Sequence, residues 1–395
     1  MENFLFVLLS YLVKFSDICK SLKKAKKIMI NSFEIKNYRN LDGLKIKSFG
    51  RVNLITGKNN TGKTNLLQSL ELLVSEFDLE ILKKQFEKRR EYDDRKYRND
   101  VENEYKNIQL FKNLFPYQSI FDLTNSIEIN SDYKNISARI INIKRIEDDD
   151  SIRYVTSDNL LFDESINTER GLEVFRNNDR IRLLPFSRNI FRSGNMYISS
   201  SNRINFSNTN YQFIETDSIE KDLNSNLWDR IALSDKEKYL IDALQIVEKS
   251  IDRLTFISDN ERERYAIVKK KDFERTFPLK SMGDGINRIL TIILALLNVE
   301  NGYLFIDEFE NGLHYTVQED LWKIIFHLSE QLNIQVFVTT HSSDCINAFQ
   351  KVMNSSQNKV SGQYIRLENK NGLIREVSYT GEEIKYASEN DIEVR

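Results

Sequence analysis

An α/β fold, built on a parallel sheet with both faces covered, is what this sequence predicts, and three observations predict it. A glycine-rich octapeptide, Gly57-Lys58-Asn59-Asn60-Thr61-Gly62-Lys63-Thr64, stands between a short strand pattern and a helix pattern. An apolar strand, Tyr303-Leu304-Phe305-Ile306, ends in two carboxylates, Asp307 and Glu308. A further apolar strand, Gln335–Thr339, ends in Thr340-His341. Reactive side chains gathered at the carboxyl ends of strands are the mark of an open parallel sheet.

The octapeptide fits G-x-x-x-x-G-K-[ST], the phosphate-binding loop. Arg51–Thr56 reads as a β-branched strand before it, and Asn65–Leu73 as a helix with an apolar stripe after it. Two glycines let the backbone wrap an anion, so that N–H groups and the helix N-terminus converge on phosphate. Lys63 is placed to neutralise the β- and γ-phosphates, and the Thr64 hydroxyl to hold Mg²⁺. A chance glycine turn is the alternative; the register of strand, motif and helix argues against it.

The chain has 395 residues, enough for a large core, with 29% charged residues, three prolines and a net charge of −2, as in a soluble, ordered protein. That balance neither requires nor excludes nucleic acid, since only local patches decide it. Cys19 and Cys345 form neither a disulfide framework nor a metal cluster, which suits a reducing cytosol. The apolar run Phe4–Val13 is shorter than the ~20 residues of a membrane span and lacks signal-peptide features, so no stable membrane insertion is expected. For residues 1–28 an interfacial helix, an oligomerisation helix and a bare extension before Met29 all stay open.

Ile30–Tyr38 alternates like an edge strand and Leu44–Phe49 alternates again; with Arg51–Thr56 these predict a first sheet around the phosphate loop. Lys83–Arg98 carries eight basic and four acidic residues with Phe86, Tyr92 and Tyr97 between them. A solvated helix pair explains it more simply than a nucleic-acid surface does. Strand character returns over 127–156, with Glu147–Asp150 as a hairpin tip, and 157–195 reads as polar loops with short strands. Met196–Ser200 looks like a core strand. Ser234-Asp235-Lys236-Glu237 is a capping box opening a helix whose Leu240, Leu244, Val247, Ile251 and Leu254 share one face. Arg264–Lys271 and Thr276–Lys280 read as strands.

Ser281-Met282-Gly283-Asp284-Gly285 then precedes a helix, Ile286–Asn298, that is apolar nearly all round. A serine and two glycines at a helix start make a second anion-seeking end. One chain has one phosphate loop, so this second end points to a nucleotide on another subunit. Asp307 suits the Mg²⁺ hydration shell, and Glu308 the orientation and deprotonation of an attacking water. Thr316 with Glu319 is expected to cap the helix that buries Leu321, Ile325, Leu328 and Leu332. His341, at a strand end, is placed for the γ-phosphate; His327 has no such argument, and His314 is an interface or exposed residue.

The order of Phe33–Leu41, phosphate loop, signature, Asp-Glu and His resembles the ABC-type ATPase heads of the SMC and RecF group. It looks closest to the OLD-type ATPases and their stand-alone relatives in bacterial phage-defence loci. Residues 281–290, 304–345 and the ending Asp391–Arg395 carry that likeness, which spans 29–77 and 276–395 well and the middle only in kind. The resemblance implies an ABC-type head of mixed sheet and flanking helices, with a large α+β insertion between phosphate loop and signature. Its parts would be an extension at 1–28, an N-lobe at 29–77, the insertion with part of the head sheet at 78–275 and a C-lobe at 276–395. It implies ATP and Mg²⁺ as ligands. Nucleotide contacts would run from Gly57 through Lys58, Asn59, Asn60, Thr61, Gly62, Lys63 and Thr64 to Asn65, with Arg39 and Asn40 near adenine or ribose. The metal would sit on Thr64 and Asp307, catalysis on Glu308, His341 and Lys63, and a signature of Ser281, Gly283, Asp284 and Gly285 would act in trans. The Ser199–Asn202 loop would take the glutamine-loop position, although no glutamine stands there. Met282 and Asp284 depart from the transporter signature Leu-Ser-Gly-Gly-Gln, against a transporter subunit.

OLD proteins carry a Toprim nuclease after the ATPase, and the 54 residues beyond His341 are too few for one. The expectation is therefore a dimeric ATP switch, or a larger even-numbered assembly, controlling a separate effector nuclease in the cytosol, with nucleic acid a possible partner. A RecF-like repair ATPase acting on duplex DNA and a scaffold that holds ATP without turnover are the rivals.

Overall fold

The first strand, β1 (Phe33–Lys36), is followed by β2 (Leu44–Ile46), β3 (Val52–Gly57) and the helix α1 (Lys63–Val74). Two charged helices, α2 (Leu79–Lys88) and α3 (Asp100–Lys112), lead to β4 (Ser126–Ser131), β5 (Asn135–Asp148), β6 (Ser151–Thr156), β7 (Thr168–Arg176) and β8 (Asp179–Pro185). Next come β9 (Tyr211–Ile214), α4 (Leu223–Asp229), α5 (Lys236–Val247) and the strands β10 (Ile251–Ser258), β11 (Arg264–Lys270) and β12 (Thr276–Pro278). A 3₁₀ turn at Leu279–Met282 enters α6 (Asp284–Asn298), β13 (Tyr303–Ile306), α7 (Tyr315–Gln331) and β14 (Gln335–Thr339). The last elements are α8 (Ser343–Met353), β15 (Gly362–Lys370) and β16 (Leu373–Tyr379). This computed structural model describes residues 29–92, 99–116, 125–148, 151–156, 168–188, 190–191, 209–216, 222–258, 264–355, 360–379, 383 and 386. Residues 1–28, 93–98, the 149–150 tip, Met196–Ser200, the Ser199–Asn202 loop, the Asp391–Arg395 ending and the Asp284 side chain lie outside the described residues.

One sheet runs β16-β15-β3-β14-β13-β9 and is parallel except for the β15–β16 hairpin. Every residue of β3, β13 and β14 is buried. Successive side chains feed opposite cores. Leu54, Leu304, Ile306, Val336 and Val338 join α4 to α8, whereas Ile55, Phe305 and Phe337 join α1 and the antiparallel sheet. Burial on both faces is why Tyr303–Ile306 and Val336–Val338 read as unbroken apolar runs, while the polar Asn53 is accommodated on β3 by bonds to Gly50 and Val336. On α1, Leu66, Leu67, Leu70, Leu72 and Leu73 are fully buried, each worth about 1.5–3 kcal/mol relative to exposure. The helix behind the phosphate loop is thus a rigid floor.

The expected grouping of β1, β2 and β3 in one sheet is corrected. Among the described residues, β1 and β2 belong to a seven-stranded antiparallel sheet, β2-β1-β4-β5-β7-β8, with β6 on β5. Their burial alternates, as suits a sheet with one wet face, while that of β3 does not. Nor is β1 an edge: Phe33 pairs with Ile46 on one side and Ser131 on the other. Local alternation cannot announce a partner so distant in sequence.

Within 157–195, expected as polar loops with short strands, β7 and β8 form a hairpin of nine and seven residues. It turns at Asn177 and Asn178, both at positive φ (47° and 74°), a conformation asparagine tolerates. Asn371 and Gly372 turn the β15–β16 hairpin, with φ of 57° and 86°. The helix opened by Ser234 ends at Val247, so Ile251 and Leu254 lie on β10 instead. Helix and strand periods overlap there, and Glu248 is already extended. Ser234 Oγ accepts from Lys236 N–H at 3.3 Å and the Glu237 carboxylate from Leu233 N–H at 3.2 Å, a cap displaced from the one predicted. For α7 the N-cap is His314, whose Nδ1 faces Thr316, in place of Thr316 itself. Among the described residues no helix is long and apolar enough to cross a membrane.

Candidate active site

The phosphate loop leaves the centre of the parallel sheet at Gly57 and enters α1 at Gly62, its N-cap. Gly57 has φ 141°, and a Cβ there would lie 2.4 Å from the Leu367 carbonyl oxygen. Gly62 has φ 85°, and a Cβ would lie 2.6 Å from Leu41. No other residue fits either place. Lys58, Asn59 and Asn60 are exposed, while Thr61 and Lys63 are buried. Lys63 Nζ folds back onto the Gly57 and Lys58 carbonyls at 2.8 and 3.0 Å. Burial lowers its pKa to about 8, opposed by the charges of Asp307, Glu308 and Glu310.

Parallel pairing of β3, β14 and β13 brings the expected acids to this loop. Thr64 Oγ1 donates to Asp307, 3.0 and 3.2 Å from its two oxygens. Thr339 Oγ1 donates to Asp307 Oδ1 at 2.7 Å and accepts from Glu308 N–H at 2.9 Å. Glu308 stands at φ 49°, in the left-handed region. Glu310 accepts from His341 N–H and from Thr340 Oγ1, both at 2.7 Å. His341 is half-buried, and burial together with nearby Lys63 lowers its pKa. A hydroxyl and a carboxylate are hard oxygen donors suited to Mg²⁺, which takes one or two protein ligands and completes its shell with water and phosphate. Among the described residues no group of three or more His, Cys, Asp or Glu could hold a metal.

Asn40 belongs to the loop's wall. Its Oδ1 accepts from Asn65 Nδ2 at 2.6 Å and its Nδ2 reaches the Asn60 carbonyl at 3.3 Å. Arg39, expected near adenine or ribose, is bound to Glu91 by two 3.0 Å hydrogen bonds, with 7% of its side chain exposed. The signature lies at the head of α6. Ser281 and Gly283 are exposed, and Ser281 Oγ donates to the Pro278 carbonyl at 2.7 Å. Gly283 has φ 104° with open space where a Cβ would stand, and a Cβ on Gly285 would lie 2.8 Å from the Gly312 carbonyl oxygen. Among the described residues no hydrogen bond joins 281–285 to the phosphate loop of the same chain.

Sequence reasoning missed four members of this neighbourhood: Glu310, Thr339, Arg288 and Arg89. Glu310 repeats the acid two places on, and Arg288 is a lone cation in an apolar helix; both were visible signals. Arg89 hydrogen-bonds Asn65 and, at 2.8 Å, Gln68 Oε1, a contact no local pattern reveals.

A phosphate loop on a buried parallel strand, with a threonine–aspartate pair and a following glutamate, defines a P-loop ATPase of mixed α/β fold. The chain belongs to the AAA ATPase domain family, whose model matches residues 29–346. It is similar to the ATP/GTP phosphatase of Helicobacter pylori, 24% identical over 393 residues, covering 92% of this chain and 99% of that one. Among solved structures, the SMC head bound to the C-winged helix domain of ScpA matches at 10% identity, over 89% of this chain and 97% of that one, with TM-score 0.47. The SMC head domain from Thermotoga maritima matches at 12% identity, over 89% and 100%, with TM-score 0.41. Superpositions this loose leave the fold to rest on the strand order and the site.

Proposed function

We propose that this ATPase is a dimeric switch, each nucleotide held between the phosphate loop of one chain and Ser281, Gly283, Asp284 and Gly285 of another. The observation that carries the reading is the open space over Gly283 at an exposed helix start, away from the chain's own phosphate loop. In this reading Lys63 and the loop N–H groups neutralise the phosphates. Thr64 and Asp307 would hold Mg²⁺, which would supply positive charge against the phosphates. Glu308 takes a proton from water as its oxygen bonds to the γ-phosphorus, the bond to the bridging oxygen breaks, and ADP leaves. His341 faces the γ-phosphate, with Glu310 fixing its backbone.

The resemblance to OLD-type ATPases supports the setting: phage defence in the bacterial cytosol, with the switch controlling a separate effector such as a Toprim-like nuclease. The name of the Helicobacter pylori relative adds GTP to ATP as a candidate substrate. Cations of α2 and its C-cap are already engaged: Lys83 with Glu87 at 3.4 Å, Lys88 with Glu215 at 3.3 Å, and the capping Arg89 as above. That favours effector control over direct action on duplex DNA. The test is turnover of ATP and GTP per chain across protein concentration, with and without duplex DNA. A rate that rises with concentration supports the composite site, and a concentration-independent rate overturns it. DNA stimulation that falls steeply with salt would transfer the reading to repair. ATP-dependent retention of a nuclease encoded beside this gene would support the defence setting.

A further inference from the structure

Arg288 lies one turn inside α6, 5% exposed, among the buried Ile286, Ile289, Leu290, Ile292 and Ile293. A guanidinium in such a place needs partners. Its partners are carbonyl oxygens: Nη1 donates to Glu215 at 2.7 Å, and Nη2 to Asp307 at 2.9 Å and Glu308 at 3.2 Å. Glu215 directly follows β9 and Asp307 directly follows β13, so one planar fork clasps the ends of two adjacent parallel strands. Burial disfavours the charge, and the fields of Asp307, Glu310 and Glu308 oppose that.

Glu308 is a non-glycine residue in the left-handed region, a strained state that lasts only where the surroundings over-determine it. Its N–H is held by Thr339 Oγ1 and its carbonyl by Arg288. We propose that Arg288 is a positioning residue that fixes the Glu308 backbone and ties it to the start of the signature helix. A second contact runs the same way: Gly285, at the head of α6, lies against Gly312 in the loop after Glu308. A nucleotide drawing on the head of α6 therefore acts on the carboxylate of the site through Arg288. This rests on the reading of Glu308 as the base.

The test uses Arg288→Lys, which keeps a cation but loses the fork, and Arg288→Gln, which removes the charge in case a buried lysine prevents folding. Turnover should fall about 10- to 100-fold, as for a catalytic group displaced by an ångström. ATP affinity, measured by a fluorescent nucleotide with Mg²⁺, should stay within about threefold of wild type. In a Glu308→Gln background Arg288→Lys should lower the residual turnover no further. Wild-type turnover in a folded variant, affinity lost in step with turnover, or full additivity in the double mutant overturns the proposal. Failure of both variants to fold overturns it too, by making Arg288 a core residue. Should Glu308→Gln alone keep wild-type turnover, it is the base assignment that fails.

Discussion

Gly283 offers the sharpest perturbation, because its own chain barely constrains what stands there. Its φ of 104° and ψ of 158° belong to the glycine-only region, yet a Cβ meets nothing within 4 Å. Gly283→Leu should therefore cost about 1–3 kcal/mol of backbone strain, without a clash. ATP affinity should not change, since Lys63 and Thr64 are untouched. Turnover should fall about 10²- to 10³-fold, the usual loss when donors are kept from a transferring phosphoryl group. Mixing this variant with Lys63→Ala restores one intact composite site in each mixed dimer. With random pairing, half the dimers are mixed and each has one of two sites intact, so activity should recover to about a quarter of wild type per chain. Phosphate release is the assay, at protein concentrations that allow exchange. No recovery from two folded variants, or wild-type turnover by Gly283→Leu alone, would refute the reasoning.

Lys63→Ala should remove nucleotide binding by about 100-fold or more, with little change in Tm, because Lys63 is held by loop carbonyls outside the apolar core; wild-type affinity would contradict it. Because burial lowers the free Lys63 pKa to about 8, ATP affinity should weaken up to about tenfold per pH unit above that value. Binding isotherms between about pH 7 and 9.5 that do not change would count against Lys63 as the phosphate partner. Glu71, buried on α1, accepts from Gln85 Nε2 at 3.0 Å, and burial raises its pKa from 4.5 to about 7. The fold thus keeps a proton that the unfolded chain releases. Its contribution is fully present below pH 4.5 and is lost as pH rises to about 7, a change of about 3 kcal/mol. In urea unfolding at about pH 5 and pH 8, Glu71→Gln should flatten that fall; parallel profiles for variant and wild type would contradict it.

The parts of the site carried by contiguous motifs were legible in the sequence. Gly57–Thr64, Asp307-Glu308 and His341 could be placed on strand ends because Tyr303–Ile306, Val336–Val338 and Leu54-Ile55 are apolar runs at the hearts of β13, β14 and β3, as a sheet covered on both faces requires. What local pattern could not supply was pairing over long separations. β1 looked like a neighbour of β3 but pairs with β4, and Arg39 is claimed by Glu91. Ile251 and Leu254 continue a helical period by coincidence on a strand. Glu310 and Arg288 were visible as residues, yet their roles rest on contacts with His341, Thr340, Asp307 and Glu308 that arise only once the strands are parallel and in register.

The composite site is tested most directly by the mass of Glu308→Gln in solution. With the carboxylate gone, ATP is still bound and clamped but the water is not activated. Light scattering on a sizing column should show the dimeric mass with ATP and Mg²⁺, and reversion when ATP is replaced by ADP. A variant that binds ATP as tightly as wild type yet stays monomeric at every concentration would contradict the account.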